Sequence, residues 1–342
     1  MPMTDHKLKG ATRVPVAADE ARTQAIRAFT ARACPEDVAL QVADHLIEAD
    51  RSGVESHGLV RVLQYAREFE TGLLDATARP TATPDAPNRI TVDGRGAIGI
   101  TAMKLAVETA TAAARAHGLA LSTLINAGHT GRIGAFAEAS ARAGCLTIIL
   151  GGGDRKRWRM VAPHGGTQAL LPTNPWCIGM PGGDRGPVVL DIATSQVAGG
   201  WIYAARAAGV HLPEGMILDR HGQPTTDPEH WFDGGAILPK GGPLGYGLAL
   251  VAELVGEAML GPVDKGEINW LVLSLDTRNY RAAPLLQSAA EDILSEIRAS
   301  APVPGGPPVS VPGERERDRH SREAEAPLML PAPVWDAIRA LA

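Results

Sequence analysis

The sequence predicts an α/β protein, and three observations carry that prediction. Between residues 119 and 152 an apolar run (LALSTLINA), a helical pattern (IGAFAEASARAG) and a second apolar run (CLTIILGG) follow one another across short loops. Strand, helix and strand in that order are the handed crossover expected of a parallel pair. Further strand-like runs, RITVDG, VVLDIATS and INWLVLSLD, are separated by helical patterns over most of the chain. Finally, His129, Arg132, His164, Thr173, Asn174, Asp191 and Ser195 gather in Gly- and Pro-rich turns between residues 123 and 195. Element ends of this kind are where α/β proteins place their sites, so the chain reads as an enzyme.

Composition narrows the class. A chain of 342 residues can bury a proper core, as one large domain or two smaller ones. Apolar residues at 45% and charged residues at 21% describe a globular protein. A formal net charge of −5 gives no long-range attraction for nucleic acid or an anionic membrane. No run approaches the roughly 18 apolar residues of a membrane span, and the opening MPMTDHKLKGATRVPV lacks the apolar core of a signal peptide. Cys34, Cys145 and Cys177 have no paired or zinc-binding spacing. The expected compartment is therefore the cytoplasm, and the expected site is free of metal.

Taken in order, residues 18–33 are alanine-rich, with Ala25, Ile26, Phe29 and Ala33 on a rough stripe. A second helix opens at Pro35; Val38, Val42 and Leu46 recur every four residues before Ser52-Gly53 stops it. The third helical pattern, LVRVLQYAREF, follows Ser56-His57-Gly58. A helix starting near Ser56 carries His57 and Arg61 on the same side of its first turns. Arg61 among Leu59, Val60, Val62 and Leu63 must snorkel or meet an anion.

The stretch after residue 75, with Pro80, Pro84 and Pro87, reads as a linker and domain boundary. A short strand (ITVDG) and a long helix ending at Gly118 lead into the strand–helix–strand unit. The loop GGGDRKRWRM concentrates Arg155, Lys156, Arg157 and Arg159, either a solvated face or a clamp for cofactor phosphates. GHTGRIG, with glycines at 128, 131 and 134, is not the G-x-G-x-x-G fingerprint of a Rossmann dinucleotide site. Downstream come a glycine-interrupted helix from residue 197, a DRHGQP hairpin turn, an apolar helix (GYGLALVAELVGEAMLG), the strand INWLVLSLD and a late helix. Residues 301–327 are Pro-rich and then charged, like a tail. The amphipathic LPAPVWDAIRALA beyond them brings the chain back and pins that segment.

Seven segments in one order, SHG followed by Arg61, GHTGRIG, VAPHGG, TNP, LDIATS, GYGLAL and VPGERER, resemble a single family. It is the malate/L-lactate dehydrogenase-like NAD(P)H-dependent oxidoreductases, which include ureidoglycolate dehydrogenase, sulfolactate dehydrogenase, 2,3-diketogulonate reductase and the piperideine/pyrroline-2-carboxylate reductases. The resemblance runs from about residue 20 to the C-terminus. It implies a non-Rossmann mixed-sheet NAD(P)-binding domain over residues 76–275, a mainly helical domain built from both chain ends (1–75 with 276–342), and a homodimer.

Reduction of a 2-keto or 2-imino acid needs a hydride donor, a proton donor and a cation for the carboxylate. Histidine suits the proton step and arginine the carboxylate. His57 of the SHG segment resembles the family's proton donor, and Arg61 would bind the carboxylate. His129 is the rival for the proton, and Asp191 would hold an imidazole tautomer or meet a cofactor hydroxyl. By the same resemblance, cofactor contacts fall to Thr173, Asn174, Asp191, Thr194 and Ser195, and to the late loop Pro312-Gly313-Glu314. Where the family commonly has His-Lys-Gly-Tyr-Gly, this chain has Pro243-Leu244-Gly245-Tyr246-Gly247. Leu244 thus replaces a lysine, for which Lys240, Arg155 or Arg159 would compensate. The basic loop around Arg159 tilts the expected cofactor from NAD toward NADP, and His164 hints at a polar substrate. The expected substrate is a small 2-keto/2-hydroxy carboxylic acid. A cyclic or N-alkyl 2-imino acid is the alternative, and a non-catalytic dinucleotide-binding protein is a further one.

Overall fold

A computed structural model describes residues 12–153, 155–207, 209–264 and 266–341 of the chain. The first strand, β1 (Arg13–Val16), precedes α1 (Ala18–Thr30), α2 (Glu36–Arg51) and α3 (Arg61–Glu70). Then come β2 (Thr81–Ala86), β3 (Arg89–Asp93), α4 (Gly99–His117), β4 (Leu119–Ile125), α5 (Ile133–Arg142) and β5 (Cys145–Gly152). β6 (Trp176–Met180) and β7 (Val188–Ile192) follow. A smaller unit holds α6 (Gly199–Ala207), β8 (Ile217–Leu218), β9 (Pro224–Thr225), α7 (Glu229–Phe232) and β10 (Ala236–Ile237), and leads to α8 (Pro243–Glu253). The chain closes with β11 (Asn269–Asp276), α9 (Ala283–Ala299), α10 (Glu314–Arg322), β12 (Leu328–Pro331) and α11 (Ala332–Arg339).

Seven strands form a mixed sheet in the order β2-β3-β4-β11-β5-β6-β7. β3 and β4 are parallel across the α4 crossover, and every other neighbouring pair is antiparallel. The mixed sheet is as expected, but the parallel pair is not. β4 and β5 run in the same direction, yet β11 lies antiparallel between them. A strand arriving more than a hundred residues later leaves no local trace in the crossover that it splits. The pairing registers put Thr91, Thr123, Leu271, Leu150, Trp176 and Ile192 in one row. The C-terminal ends of β3, β4, β5 and β7 therefore share one edge of the sheet with the N-terminal ends of β6 and β11.

One continuous core joins the helical layer to the sheet: Phe29, Leu46 and Tyr65 belong to the same cluster as Ile149, Val272 and Trp335. The two chain ends meet directly, since β1 pairs antiparallel with β12 from Arg13↔Pro331 to Val16↔Leu328. A second, separate core around Val161, Ile202, Ile217 and Ile237 supports the small sheet β10-β8-β9, and the DRHGQP turn does close the β8–β9 hairpin. Within the Pro-rich stretch expected as a linker, Thr81–Ala86 form the exposed edge strand β2, where Pro84 is tolerated and the register shifts between Pro84 and Ala86. The charged segment after residue 301 is pinned, and it contains α10. Among the described residues no helix is long and apolar enough to cross a membrane.

Candidate active site

The shared sheet edge gathers most of the chemistry. The β4 turn carries His129, Gly151 and Gly152 end β5, and Asp191–Ser195 run out from the end of β7. Asn174 and Glu267 precede β6 and β11. The helical layer delivers His57 and Arg61 to the same place, but not as one helix. Glu55–His57 is a single 3₁₀ turn, Gly58 is extended (φ −88°, ψ −154°), and α3 begins only at Arg61. The break has a steric cause: a Cβ on Gly58 would lie 2.0 Å from Asp50 Oδ1, and Asp50 Oδ2 accepts the Leu59 N–H at 2.8 Å. Arg61 folds back across the break, its Nε donating to the Ser56 carbonyl at 2.6 Å and its Nη1 to Gln64 Oε1. Among the described residues no partner takes its Nη2.

The His57 and His129 rings stack with centroids 5.3 Å apart. Ser56 Oγ is 2.9 Å from His57 Nδ1. His129 Nδ1 accepts the Gly131 N–H at 3.2 Å and lies 2.7 Å from Tyr65 Oη. A backbone N–H can only donate, so Nδ1 is bare, the Tyr65 hydroxyl also donates to it, and the ring proton sits on Nε2. Burial, and then the charges of Arg61, His57 and His45, hold the His129 pKa well below the ordinary histidine value. His129 is thus a neutral imidazole that offers an N–H. Tyr65, fully buried, is likewise held neutral, its pKa driven upward by burial.

Behind Arg61 stands an acidic pair that sequence reading missed. Gln64 Nε2 donates to Glu68 Oε1 at 2.7 Å and to Glu267 Oε1 at 3.3 Å. Burial first, and then the Glu68 charge, push Glu267 up to about 7, with Arg61 opposing. Gln64 and Tyr65 had a signal of a kind, lying three and four residues after Arg61 on α3. Glu267, some two hundred residues away, had none.

Asp191 is accessible to solvent at the end of β7 yet crowded by protein, which raises its pKa against the pull of Arg132. Its Oδ2 accepts the Gly134 N–H at 2.8 Å, capping the first turn of α5. Among the described residues it bonds no imidazole; the contacts at His129 Nδ1 are those of Gly131 and Tyr65. Arg132 is itself buried in a paired contact with Glu48 (2.6 and 3.1 Å), and its N–H reaches His45 Nε2 at 3.0 Å.

The expected cofactor residues fall into two groups. Thr173, Asn174, Thr194 and Ser195 come together: the Thr173 carbonyl accepts both the N–H (3.0 Å) and the Oγ1–H (2.8 Å) of Thr194, whose own carbonyl accepts the Lys240 N–H at 2.8 Å. Leu244 is 69% exposed in the first turn of α8, just beyond. A recess of about 350 Å³ lined by His164, Gln196, Pro239 and Gly242 adjoins this group. The other group packs against β7 at Val189. Pro312 accepts the Val189 N–H at 3.0 Å, but Glu314 turns inward and bonds Arg298 (2.8 Å) and the Val311 N–H (3.0 Å). In the basic loop Arg155 pairs with Glu257 and Arg157 reaches the Gly266 carbonyl, while Arg159 stays exposed. A nicotinamide nucleotide fits this edge on chemical grounds. Asn174 Oδ1 and Ser195 Oγ are buried polar atoms without a partner among the described residues.

A mixed sheet without the Rossmann fingerprint, with histidines and an arginine converging on a polar edge, fits an oxidoreductase of non-Rossmann type. Comparison makes the class specific: the family model described as malate/L-lactate dehydrogenase matches residues 16–339, and the chain belongs to that family of NAD(P)-dependent enzymes. It is 34% identical over 258 residues to the Delta(1)-pyrroline-2-carboxylate/Delta(1)-piperideine-2-carboxylate reductase of Pseudomonas putida, covering 75% of this chain and 74% of that one. It is 33% identical over 340 residues to the (2R)-3-sulfolactate dehydrogenase (NADP(+)) of Chromohalobacter salexigens, covering 94% and 96%. The crystal structure of a dehydrogenase from Sinorhizobium meliloti superposes with a TM-score of 0.86 at 32% identity, over 97% and 98% of the two chains.

Proposed function

We propose that the chain reduces the C2 carbonyl of a small 2-keto carboxylic acid, and oxidises the matching 2-hydroxy acid, with His57 as proton donor and acceptor and Arg61 as carboxylate ligand. One observation carries this reading: the stacked His57–His129 pair beside the unpartnered Nη2 of Arg61. NAD(P)H, when bound, supplies the hydride. Arg61 orients the acid by its carboxylate. Neutral His129 donates its Nε2–H to the C2 oxygen and stabilises the charge that develops there. His57 hands over the proton, and the Ser56 hydroxyl at its Nδ1 steadies the ring. The 2-imino acid alternative uses the same groups, and the Pseudomonas putida relative favours keeping it.

The remaining parts of the reading rest on narrower support. Exposed Arg159 in the basic loop and the NADP(+)-dependent relative favour NADP over NAD. The division into a helical domain from both chain ends and a central cofactor-binding domain rests on the β1–β12 pairing. The apolar face of α9 favours a homodimer. Three free, buried cysteines suit the reducing cytoplasm.

The test is a panel of 2-keto acids, with and without ammonia or methylamine, followed by loss of NADH and NADPH absorbance. His57→Asn is expected to lower kcat by about 10²–10⁴-fold, and Arg61→Gln to raise KM for the acid by about 10–100-fold. An intact rate in His57→Asn removes His57 from its role.

A further inference from the structure

Asn174 and Glu253 take no part in the steps above, and their geometry is unusual. Asn174 stands directly before Pro175 with a φ of +33° and is 1% exposed. A non-glycine residue in that region is strained, and it is held because both flanks are tied. The Thr173 carbonyl accepts from Thr194, and the Pro175 carbonyl accepts the Gly151 N–H at 3.1 Å. The side chain is half satisfied: Nδ2 donates to Glu253 Oε2 at 2.8 Å, whereas Oδ1 is buried without a partner. Glu253, 4% exposed, ends α8 at the point where the helix widens into a π turn, Leu254–Met259. Its carboxylate also accepts the N–H groups of Gly153 (2.9 Å) and Arg155 (3.2 Å). The π turn is locked to the end of β5, since a Cβ on Gly256 would lie 2.1 Å from the Gly152 carbonyl. Short π turns are found at functional sites more often than elsewhere.

A carboxylate can only accept hydrogen bonds. The Asn174 amide must therefore turn its NH₂ toward Glu253, and its oxygen is the end left over. Rotating the amide would set oxygen against oxygen and strand two donors. Resting on the nicotinamide reading above, we infer that Glu253 is a positioning residue that fixes Asn174 with its oxygen toward the ligand, and that Asn174 Oδ1 accepts from an N–H of that ligand. The carboxamide NH₂ of the nicotinamide ring is one source of that donor, and the nitrogen of an imino or amino acid is the other.

The experiment measures binding by calorimetry, using NADPH and NADH, each against its 3-acetylpyridine analogue, in which a methyl replaces the NH₂ and the carbonyl is kept. A cofactor donor predicts that the wild type binds the parent about tenfold more tightly. Asn174→Gly, which suits a positive φ, abolishes that preference, and Glu253→Gln, whose amide can itself donate, reduces it to about threefold or less. A substrate donor predicts no preference between dinucleotides. Instead, Asn174→Gly weakens binding of a 2-amino acid product analogue about tenfold and leaves the matching 2-hydroxy acid unchanged. Binding without discrimination in either arm overturns this inference alone, as does discrimination that survives both variants at unchanged melting temperature. Failure of the wild type to bind any of these dinucleotides overturns the functional reading and this inference with it.

Discussion

The proposed mechanism gives the two stacked imidazoles different work because their neighbours differ. His129 has its Nδ1 occupied by a backbone N–H and a buried phenol, so it can give a hydrogen bond but has no lone pair left to take up a proton readily. His57 has a hydroxyl at the same atom, which can donate or accept as the ring changes state. Tyr65→Phe tests this division without touching the reacting groups. Loss of one buried hydrogen bond is expected to cost about 1 kcal/mol of stability in a urea titration. The Gly131 N–H still fixes the tautomer, so kcat/KM is expected to fall only about threefold to tenfold, within one hydrogen bond's worth of positioning. A collapse to the level of His129→Asn would mean that Tyr65 itself passes the proton. At this scale the sequence displayed the residue types well: His57, Arg61 and His129 stood out by chemistry and by their glycine-flanked turns. It could not display Glu267 or Glu253, whose importance comes from being brought to the edge by distant strands and helices.

At the scale of elements, the turn that carries His57 is shaped by a carboxyl group buried beneath it. Asp50, near the end of α2, sits where any side chain at position 58 would collide, and it holds the Leu59 N–H. Burial pushes its pKa up to about 8, with the Leu59 bond opposing and Glu55 adding to the rise. The sign follows from linkage: the folded chain holds this proton more tightly than the unfolded chain, whose carboxyl titrates near 3.8. The native state binds more protons between those values, so this group's contribution to stability is fully present below pH 4 and is lost as pH rises toward 8. Asp50→Asn can still accept from Leu59 but does not titrate. Thermal unfolding from pH 5 to 8.5 is expected to show the variant gaining on the wild type as pH rises, and parallel curves would place the proton elsewhere. The same crowding explains why a helix starting near Ser56 is a natural expectation that the structure does not bear out. Local periodicity favours the helix, and only the tertiary position of Asp50 forbids it. β2 failed similarly, because prolines that argue against a central strand are compatible with an edge.

For the whole molecule, the alternation of strands and helices, the return of the chain end and the mixed sheet were legible from the pattern of apolar runs and from the family resemblance. The place of β11 was not, because strand order is set by contacts far apart in sequence. The homodimer proposed above rests on α9, whose orientation is the reverse of an ordinary surface helix. At about 100° per residue, Leu285, Ile293 and Ile297 lie within one third of its circumference, and they are 57%, 59% and 45% exposed. The opposite, polar side is the one attached to the rest of the chain. Gln287 bonds Asp184, Glu291 accepts the Asp184 N–H, and Arg298 bonds Glu291 and Glu314. A helix that docks by its charges and turns its aliphatic stripe outward, burying none of its side chains within the protomer, is the signature of a face covered in an assembly. In the homodimer proposed above, a second copy would supply the matching stripe by two-fold symmetry. Sedimentation equilibrium at micromolar concentration is expected to give twice the chain mass. The double variant Ile293→Glu/Ile297→Glu is expected to weaken association by about 100-fold or more, while its circular dichroism stays that of the wild type because both side chains are exposed in the protomer. A monomeric wild type, or a double variant that still dimerises at the same concentration, would leave the outward stripe of α9 to some other partner.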